Sequence, residues 1–345
     1  MFRLGIMKDK EKLILAALLH DIGKFWQRAG ESGKHAEVSN RFIRDYVPKE
    51  FQSSGGLVAY HHGLYEQPSR GFTSCRQDLL KFGIEDIVTM EGYEDLKKLI
   101  VSDWLSSGER EESENEESGK PKITPLISIF SQISLKSEKE DDSYNSQWEY
   151  PLNSLCLGDS IFPIANKLTL SEGDYRKLWN EFMKDINWIK DIDNFDEYFN
   201  KLYYILQKYT WCIPSAVYKS KPDVSLFDHL KTTTAIVSCL YGSNETYLDN
   251  CIKALHKKWK IKQKLEENIK KELKEKQLRK EEIRKELEEK WKQWVEENKG
   301  YGSKVNSSFE EKRFSLIHGD ISGIQNFIYS IKTKYATKSL KGRMS

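Results

Sequence analysis

Residues that could bind a metal are concentrated in the first third of the chain. His20 and Asp21 are adjacent, and they follow an apolar run, residues 13–19, that has helical periodicity. Imidazole and carboxylate ligands suit Mn, Fe, Co, Ni and Zn. A divalent metal can make a water nucleophilic near neutral pH and can stabilise the charge that develops on a phosphodiester during hydrolysis. The doublet therefore predicts a metal-dependent hydrolytic site.

The remaining ligands must come from other segments, because adjacent residues on a helix point about 100° apart. His35, His61, His62 and Asp103 lie on or beside other predicted helices. Any one of them is more often a surface or core residue than a ligand. The ordered set is much more specific than any member.

Helices dominate the fold that the apolar pattern predicts. Periodicity predicts helices over 9–26, 36–46 and 96–105. The aromatic-rich stretch 175–211 predicts a helical core, and 228–240 predicts an amphipathic helix with His229 near its start. The apolar segment 127–135 is compatible with either a strand or a helical turn.

The later part of the chain is polar and then changes character. Residues 257–299 alternate blocks of Lys and Glu around widely spaced apolar residues, which predicts one long helix or a helical hairpin. A solvated insertion is the simpler interpretation, and a partner-binding arm is the alternative. Residues 313–331 read as a strand, a glycine-rich turn and a helix. The chain ends fourteen residues later, so we expect this last domain to be incomplete here.

Charge, cysteine spacing and the length of the N-terminal apolar run limit the class of protein. The net charge of +2 does not exclude a nucleic-acid partner, because phosphate binding depends on where the basic residues lie. The five cysteines are widely spaced and form no Cys-x-x-Cys pair, which argues against a structural zinc site. The N-terminal apolar run is too short to span a bilayer. We expect a cytoplasmic protein with reduced thiols and no membrane partner.

The ligand-type residues lie in segments that resemble the motifs of the HD superfamily of metal-dependent phosphohydrolases. Residues 18–24, Leu-Leu-His-Asp-Ile-Gly-Lys, resemble its namesake motif, 35–37 its next histidine, 61–62 its paired histidines and 101–106 its closing aspartate motif. The superfamily's opening histidine is missing upstream of the doublet. Residues 227–235, which contain His229, resemble that opening helix moved behind the aspartate motif. The resemblance therefore implies a circularly permuted domain.

A permuted HD domain followed by His-Gly-Asp-Ile-Ser-Gly-Ile-Gln-Asn-Phe-Ile-Tyr, residues 318–329, is similar to the large signature subunit of type III-A (Csm-type) CRISPR effector complexes. The resemblance covers residues 11–110, 215–242 and 313–345. It implies an HD nuclease for single-stranded DNA that is switched on when the guide complex binds target RNA. It also implies two ferredoxin-like palm domains that make cyclic oligoadenylates from ATP. The partners implied are single-stranded DNA, guide RNA, target RNA and other Csm-type subunits.

The expected fold class is α+β, mostly helical, with five segments. These are an HD phosphohydrolase domain over 1–110, a linker and helical connector over 111–214, the returning helix of the permuted domain over 215–250, a charged helical insertion over 251–312, and the first strand and helix of a palm domain over 313–345.

Seven residues are expected to hold divalent metal, with Mn, Ni or Co favoured. The expected first position is formed by His20, Asp21, His61 and Asp103, and the second by His35, His62 and His229. Lys24 follows the doublet and is expected to steady a non-bridging phosphate oxygen, with an exposed lysine as the alternative.

In the palm segment, the candidate ATP contacts in the complete protein are Asp320, Ser322 and Gln325. The alternative is that Gly319 and Gly323 only shape a tight turn. The Gly-Gly-Asp-Asp motif of a second palm is absent, so we do not expect this chain alone to cyclise ATP. The alternatives to a nuclease are an HD hydrolase of nucleotides or cyclic dinucleotides and an inactive scaffold subunit.

Overall fold

The structure is a computed structural model, and the residues that it describes are predominantly helical. They are residues 7–62, 90–107, 121–132, 148–165, 168–217, 220–243 and 246–253. All of them belong to the first of two compact units, residues 1–291. The palm segment, with Asp320, Ser322 and Gln325, and nearly all of the charged insertion lie outside the described residues.

The N-terminal part forms five helices among the described residues. They are α1 (Asp9–Leu19), α2 (Gly23–Arg28), α3 (His35–Tyr46), α4 (Gly55–Ala59) and α5 (Met90–Ser107), with a 3-10 turn at Lys49–Ser54. The helices predicted over 36–46 and 96–105 are confirmed as α3 and α5. The continuous helix predicted over 9–26 is wrong, because the chain turns at residues 20–22 between α1 and α2.

The break between α1 and α2 has a local cause at Gly23. Its amide donates to the Ser39 hydroxyl at 2.8 Å instead of continuing the helical ladder. A Cβ at this position would press against the backbone carbonyl of His35 and lie 2.7 Å from the Ser39 amide. Glycine therefore lets α2 start in contact with α3, and this contact brings the N-terminus of α3 beside the His20–Asp21 turn.

Helix α1 lies at the centre of the HD part. It packs against α4, α5 and a helix from the later part of the chain, α8 (Leu226–Leu240). Six of its residues are buried, including Leu13, Leu15 and Leu18 at 0% exposure. An apolar surface on nearly every side of α1 is what a helix enclosed by neighbours requires. The helix predicted at 228–240 thus returns to pack on α1 across a long separation in sequence.

The connector contributes two helices, α6 (Glu172–Ile189) and α7 (Phe195–Thr210), which pack against each other. Ser171 caps α6 by accepting from the Asp174 amide, and Asn194 caps α7 by accepting from the Glu197 amide. The helical core predicted for 175–211 is confirmed for most of its aromatic residues. It is wrong for Trp188 and Tyr204, which are 87% and 66% exposed.

Aromatic contacts join the connector to the HD part. The ring centroids of Phe25 on α2 and Trp179 on α6 are 5.0 Å apart, and those of Phe42 on α3 and Phe182 on α6 are 5.8 Å apart. Phe25, Phe42 and Phe182 have no exposed surface. This cluster fixes α2 and α3 against α6, so it supports the turn that carries His20 and Asp21.

Strands are few among the described residues. β1 (Leu126–Ile127) pairs antiparallel with β2 (Glu149–Tyr150), with Leu126 opposite Tyr150. A 3-10 turn, Ile129–Gln132, follows β1. The apolar segment 127–135, which was compatible with a strand or a helical turn, therefore begins at the end of a strand and continues as a helical turn. No helix among the described residues is long and apolar enough to cross a membrane.

Two aromatic residues on α6 provide a test of this packing. Phe182→Ala should lower the free energy of unfolding by about 3–5 kcal/mol, because it removes a fully buried ring from the cluster. Trp188→Ala on the same helix should change it by less than about 0.5 kcal/mol, because that ring is exposed. Urea denaturation measures both. Equal destabilisation by the two substitutions would contradict the described docking of α6.

Candidate metal centre

All seven ligand-type residues singled out in the sequence converge in one cluster. His20 and Asp21 lie at the end of α1, His35 begins α3, His61 and His62 follow α4, Asp103 lies on α5 and His229 lies on α8. They form two groups, and within each group the ligand atoms lie within 4.8 Å of one another. The first group is His20, Asp21, Asp103 and His229. The second group is Asp21, His35, His61 and His62.

The first group is buried and compact. His229 Nε2 lies 3.2 Å from Asp21 Oδ2 and 3.2 Å from Asp103 Oδ1. His20 Nε2 lies 3.5 Å and 3.6 Å from the same two oxygens. Two ligands at about 2.1 Å from one metal are roughly 3.0–3.5 Å apart at octahedral or tetrahedral angles. The spacing in this group is therefore close to that of four ligands around one cation.

The second group is more open. His35 Nε2 lies 3.4 Å from Asp21 Oδ1 and 2.7 Å from His62 Nε2, while His61 Nε2 lies 3.9 Å from the same Asp21 oxygen. The side chain of His35 is 28% exposed, and His62 is exposed, whereas His61 is buried. The second group therefore has a route to solvent that the first lacks.

Asp21 belongs to both groups, with one oxygen toward each. Oδ2 faces His20 and His229, and Oδ1 faces His35 and His61. A carboxylate in this position can bridge two metal ions. The arrangement differs from the expected division, which placed His61 with His20 and placed His229 with His35.

The correction to this division has a simple physical reason. The turn after α4 brings His61 and His62 to the N-terminus of α3, where His35 lies. Helix α8 packs on α1 and α5, so His229 reaches Asp103 and the end of α1. The groups still adjoin, since the ring centroids of His20 and His61 are 5.2 Å apart.

Backbone carbonyls orient two of the imidazoles. His20 Nδ1 donates to the Ala17 carbonyl at 2.8 Å, and His61 Nδ1 donates to the Val58 carbonyl at 2.6 Å. Both carbonyls lie in the last turn of a helix, where the ladder leaves acceptors unused. Each bond fixes a proton on Nδ1, so Nε2 is the nitrogen that faces the cluster. Such outer bonds are typical of metal-binding histidines.

Two buried atoms of the cluster test whether a metal fits. Asp21 Oδ1 and His61 Nε2 have no hydrogen-bond partner among the described residues. Leaving buried polar atoms unsatisfied costs about 1–3 kcal/mol each, and more for a charged group. A cation between them would satisfy both, so the donor set fits a divalent metal.

The electrostatics keep both carboxylates in their metal-binding form. Burial alone would raise the pKa of both Asp21 and Asp103. For Asp21, Lys24 and His20 outweigh burial, and for Asp103, hydrogen bonds from His20 and His229 do so, so both pKa values lie well below the usual range. Both groups are therefore carboxylates at neutral pH.

The pKa values of the histidines shift in different directions, depending on the groups around each ring. Burial lowers the pKa of three of them to about 4, and these are His35, His61 and His62. These imidazoles are neutral near pH 7 and keep the lone pair that a metal requires. Burial would also lower the pKa of His20, but Asp21 and Asp103 outweigh it and the net shift is upward. The two carboxylates of the first group therefore favour the charged form of His20.

Lys24 lies beside this cluster. Its Nζ donates to Asp21 Oδ2 at 2.5 Å and to the Ser215 carbonyl at 3.2 Å, and its side chain is 22% exposed. The alternative of a freely exposed lysine is therefore wrong. Together with burial, the ammonium lowers the pKa values of His35 and His62 in the second group.

The start of α8 shows why His229 is free to enter the site. Ser225, not Asp228, is the N-cap, because its hydroxyl accepts from the Asp228 amide. His229 itself is 1% exposed and does not cap the helix. Its Nδ1 lies 3.0 Å from Ser106 Oγ, which lies 2.7 Å from Thr233 Oγ1.

Sequence reasoning missed Ser106 and Thr233 as neighbours of the cluster. A signal was present for each, because Ser106 follows Asp103 by three positions and Thr233 follows His229 by four. On a helix these spacings place the hydroxyl on the same face as the ligand. The pair therefore holds the outer nitrogen of the His229 ring.

Two family models match the chain. The HD domain matches residues 3–117, and the Csm1 subunit domain B matches residues 313–344. The HD match ends before α8, so it does not include His229, whose place in the cluster comes from helix packing.

Curated relatives match the chain over almost its whole length. The protein from Methanocaldococcus jannaschii named CRISPR system single-strand-specific deoxyribonuclease Cas10/Csm1 (subtype III-A) is 32% identical over 361 aligned residues, which cover 99% of this chain and 37% of that protein. The protein of the same name from Enterococcus italicus is 26% identical and is covered to 37%. This chain is a homologue of Cas10/Csm1 proteins. It spans little more than a third of their length.

Solved structures show a partial likeness. Csm1 from T. onnurineus has a TM-score of 0.47 and 25% identity, covering 68% of this chain and 29% of that one. The Csm1–Csm4 subcomplex of a type III-A CRISPR-Csm interference complex has a TM-score of 0.46 and 22% identity, with 68% and 28% covered. The curated Cas10/Csm1 relatives confirm the resemblance that the sequence motifs indicated.

The position of His229 gives a direct test of the first group. His229→Ala should weaken Mn²⁺ binding by about 10- to 100-fold or more, because even outer-shell partners of metal ligands have effects of this size. Lys231→Ala, two positions along α8 and partly exposed, should leave the affinity unchanged. Isothermal titration calorimetry measures both. Unchanged affinity in His229→Ala would show that this histidine is not a ligand.

Proposed function

We propose that this chain is the HD nuclease portion of a type III-A CRISPR effector subunit and that it hydrolyses single-stranded DNA with divalent metal. The observation that carries the proposal is the pair of ligand groups that share Asp21, because the ligand atoms of each group lie within 4.8 Å of one another and those of the first have the spacing of ligands around one cation. The names of the relatives support single-stranded DNA as the substrate. The match to domain B supports a subunit of this family over a free-standing nucleotidase.

Two ions would be held by the chain. His20, Asp103 and His229 would hold one and His35, His61 and His62 the other, with Asp21 between them. Nitrogen and carboxylate donors of this kind favour Mn, Ni or Co over Mg or Ca. When bound, such ions supply an activated water and stabilise negative charge on the phosphoryl group.

The residues of the chain prepare the site for this chemistry. The carbonyls of Ala17 and Val58 fix the tautomers of two imidazoles, so their Nε2 atoms point inward before any metal arrives. The ammonium of Lys24 would exchange its contact with Asp21 for one with a non-bridging oxygen of the phosphodiester. Its positive charge would there stabilise the negative charge of the substrate. The partial exposure of His35 and His62 would admit the phosphodiester from the second group's side.

The proposed setting is an assembly. Other Csm-type subunits, guide RNA and target RNA would be the partners of the complete protein, located in the cytoplasm. The names of similar solved structures include Csm1 with Csm4, which supports the first of these partners by analogy. Binding of ATP through Asp320, Ser322 and Gln325 stays a prediction for the complete protein.

The central test replaces the doublet. With Mn²⁺, Ni²⁺ or Co²⁺ added, the chain should degrade a labelled single-stranded oligonucleotide. His20→Ala combined with Asp21→Ala should reduce the rate by more than about 100-fold, because two direct ligands are lost. Lys231→Ala is the control and should cut like the parent chain. Undiminished cleavage by the double variant would place the activity outside this cluster.

Substrate form and metal dependence provide a second test. Chelation with EDTA should abolish cleavage, since imidazoles and carboxylates hydrolyse no phosphodiester without the cation. A duplex of the same sequence should stay intact under the same conditions. Gel electrophoresis resolves all of these products. Hydrolysis of nucleotides or cyclic dinucleotides in preference to the single strand would favour a nucleotidase, and inactivity with every divalent metal would favour a scaffold.

A further inference from the structure

A cavity of about 680 Å³ adjoins the metal cluster on the side of α2. Its walls come from α2 and from the segments 121–123 and 215–217. His35, a member of the second ligand group, also lines it, as does Lys24, which contacts Asp21. The cavity is therefore continuous with the more open side of the candidate metal centre.

Arg28 lines this cavity and is 4% exposed. Its Nη1 is buried and has no hydrogen-bond partner, and no carboxylate pairs with its guanidinium, among the described residues. The guanidinium lies 5.7 Å from the centroid of the Tyr175 ring, which cannot neutralise its charge. A buried cation without a counter-charge is expensive. An anion bound in the cavity would place a counter-charge beside this guanidinium.

The other walls of the cavity have a mixed character. Lys24 and Lys122 also line it, but each is paired with a carboxylate outside the lining, Asp21 and Glu172 respectively. The one carboxylate among the lining residues, Glu31, is paired with Arg41 at 2.7 Å. Pro121, Ile123 and Val217 supply apolar surface. A guanidinium that binds phosphate oxygens, together with apolar walls for a flat ring, is the combination that a nucleotide requires.

We propose that this cavity binds one nucleotide unit of the single strand, next to the phosphodiester at the metal centre. Arg28 donates to the phosphate oxygens of that unit, and the apolar walls contact its unpaired base. The proposal rests on the proposed function and adds the origin of its strand specificity. A base can enter this cavity only when it has left its stack and its pairing partner, which a single strand allows at small cost.

Binding without metal separates this proposal from the nuclease assignment. Fluorescence anisotropy in EDTA measures the affinity for a labelled oligo(dT) over a range of salt concentrations. Arg28→Gln should raise the Kd about 10-fold and reduce the salt slope by roughly 0.7, the value for one lost phosphate contact on a single strand. Arg44→Gln, an exposed arginine on α3, is the control and should change neither.

A second variant tests the cavity without touching the buried arginine. Ala216→Trp should fill the space from the wall of segment 215–217 and should also weaken oligo(dT) binding about 10-fold. A duplex of the same length should compete poorly with the single strand. Thermal unfolding shows which variants are folded, and if Arg28→Gln does not fold, Ala216→Trp decides.

Three results would overturn the proposal. The first is an unchanged Kd and salt slope in folded Arg28→Gln, which would assign Arg28 to packing on Tyr175. The second is unchanged oligo(dT) binding by Ala216→Trp. The third is equal competition by duplex and single strand. None of them bears on the metal ligands, because cleavage by the His20 and Asp21 double variant tests the nuclease independently.

Discussion

Burial of the Asp21 carboxylate is the constraint on which the rest of the site depends. A carboxylate removed from water costs several kcal/mol unless cations or donors surround it. Lys24 and the imidazoles of His20 and His229 supply this compensation on Oδ2, and they hold the pKa of Asp21 well below its usual value against the effect of burial. Oδ1 lacks a hydrogen-bond partner among the described residues. Neighbouring cations and donors therefore stabilise the charge of Asp21 on one side, and an unused acceptor faces the second ligand group on the other.

The fold serves this arrangement by enclosing one helix. Because α1 is surrounded by α4, α5 and α8, the turn at its end receives side chains from three directions at once. Gly23 allows α2 to leave that turn in contact with α3, and the aromatic cluster around Phe182 fixes both against the connector. The proposed nucleotide cavity lies on the same α2, between the connector side and the ligand groups. One short helix thus links packing, metal site and proposed substrate contact.

Much of this site could be predicted from the sequence, and the remainder required the structure. The doublet, the paired histidines and Asp103 lie in motifs with characteristic spacing, and the similarity of the segment around His229 to a displaced motif placed it at the site. The division of ligands between two metals depends on how helices pack, which spacing does not determine. The break after α1 depends on Gly23 meeting α3, and the importance of Arg28 depends on a missing partner. These are contacts between segments remote in sequence, and local periodicity carries no information about them.

The most direct test of the shared carboxylate is the number of Mn²⁺ ions that the chain binds. Calorimetric titration of the parent chain should show two ions, one for each ligand group. Asp21→Asn should weaken both, because one side chain serves both groups, whereas His62→Ala should weaken only one. A single ion in the parent chain, or an Asp21→Asn variant that keeps one site at full affinity, would contradict the account.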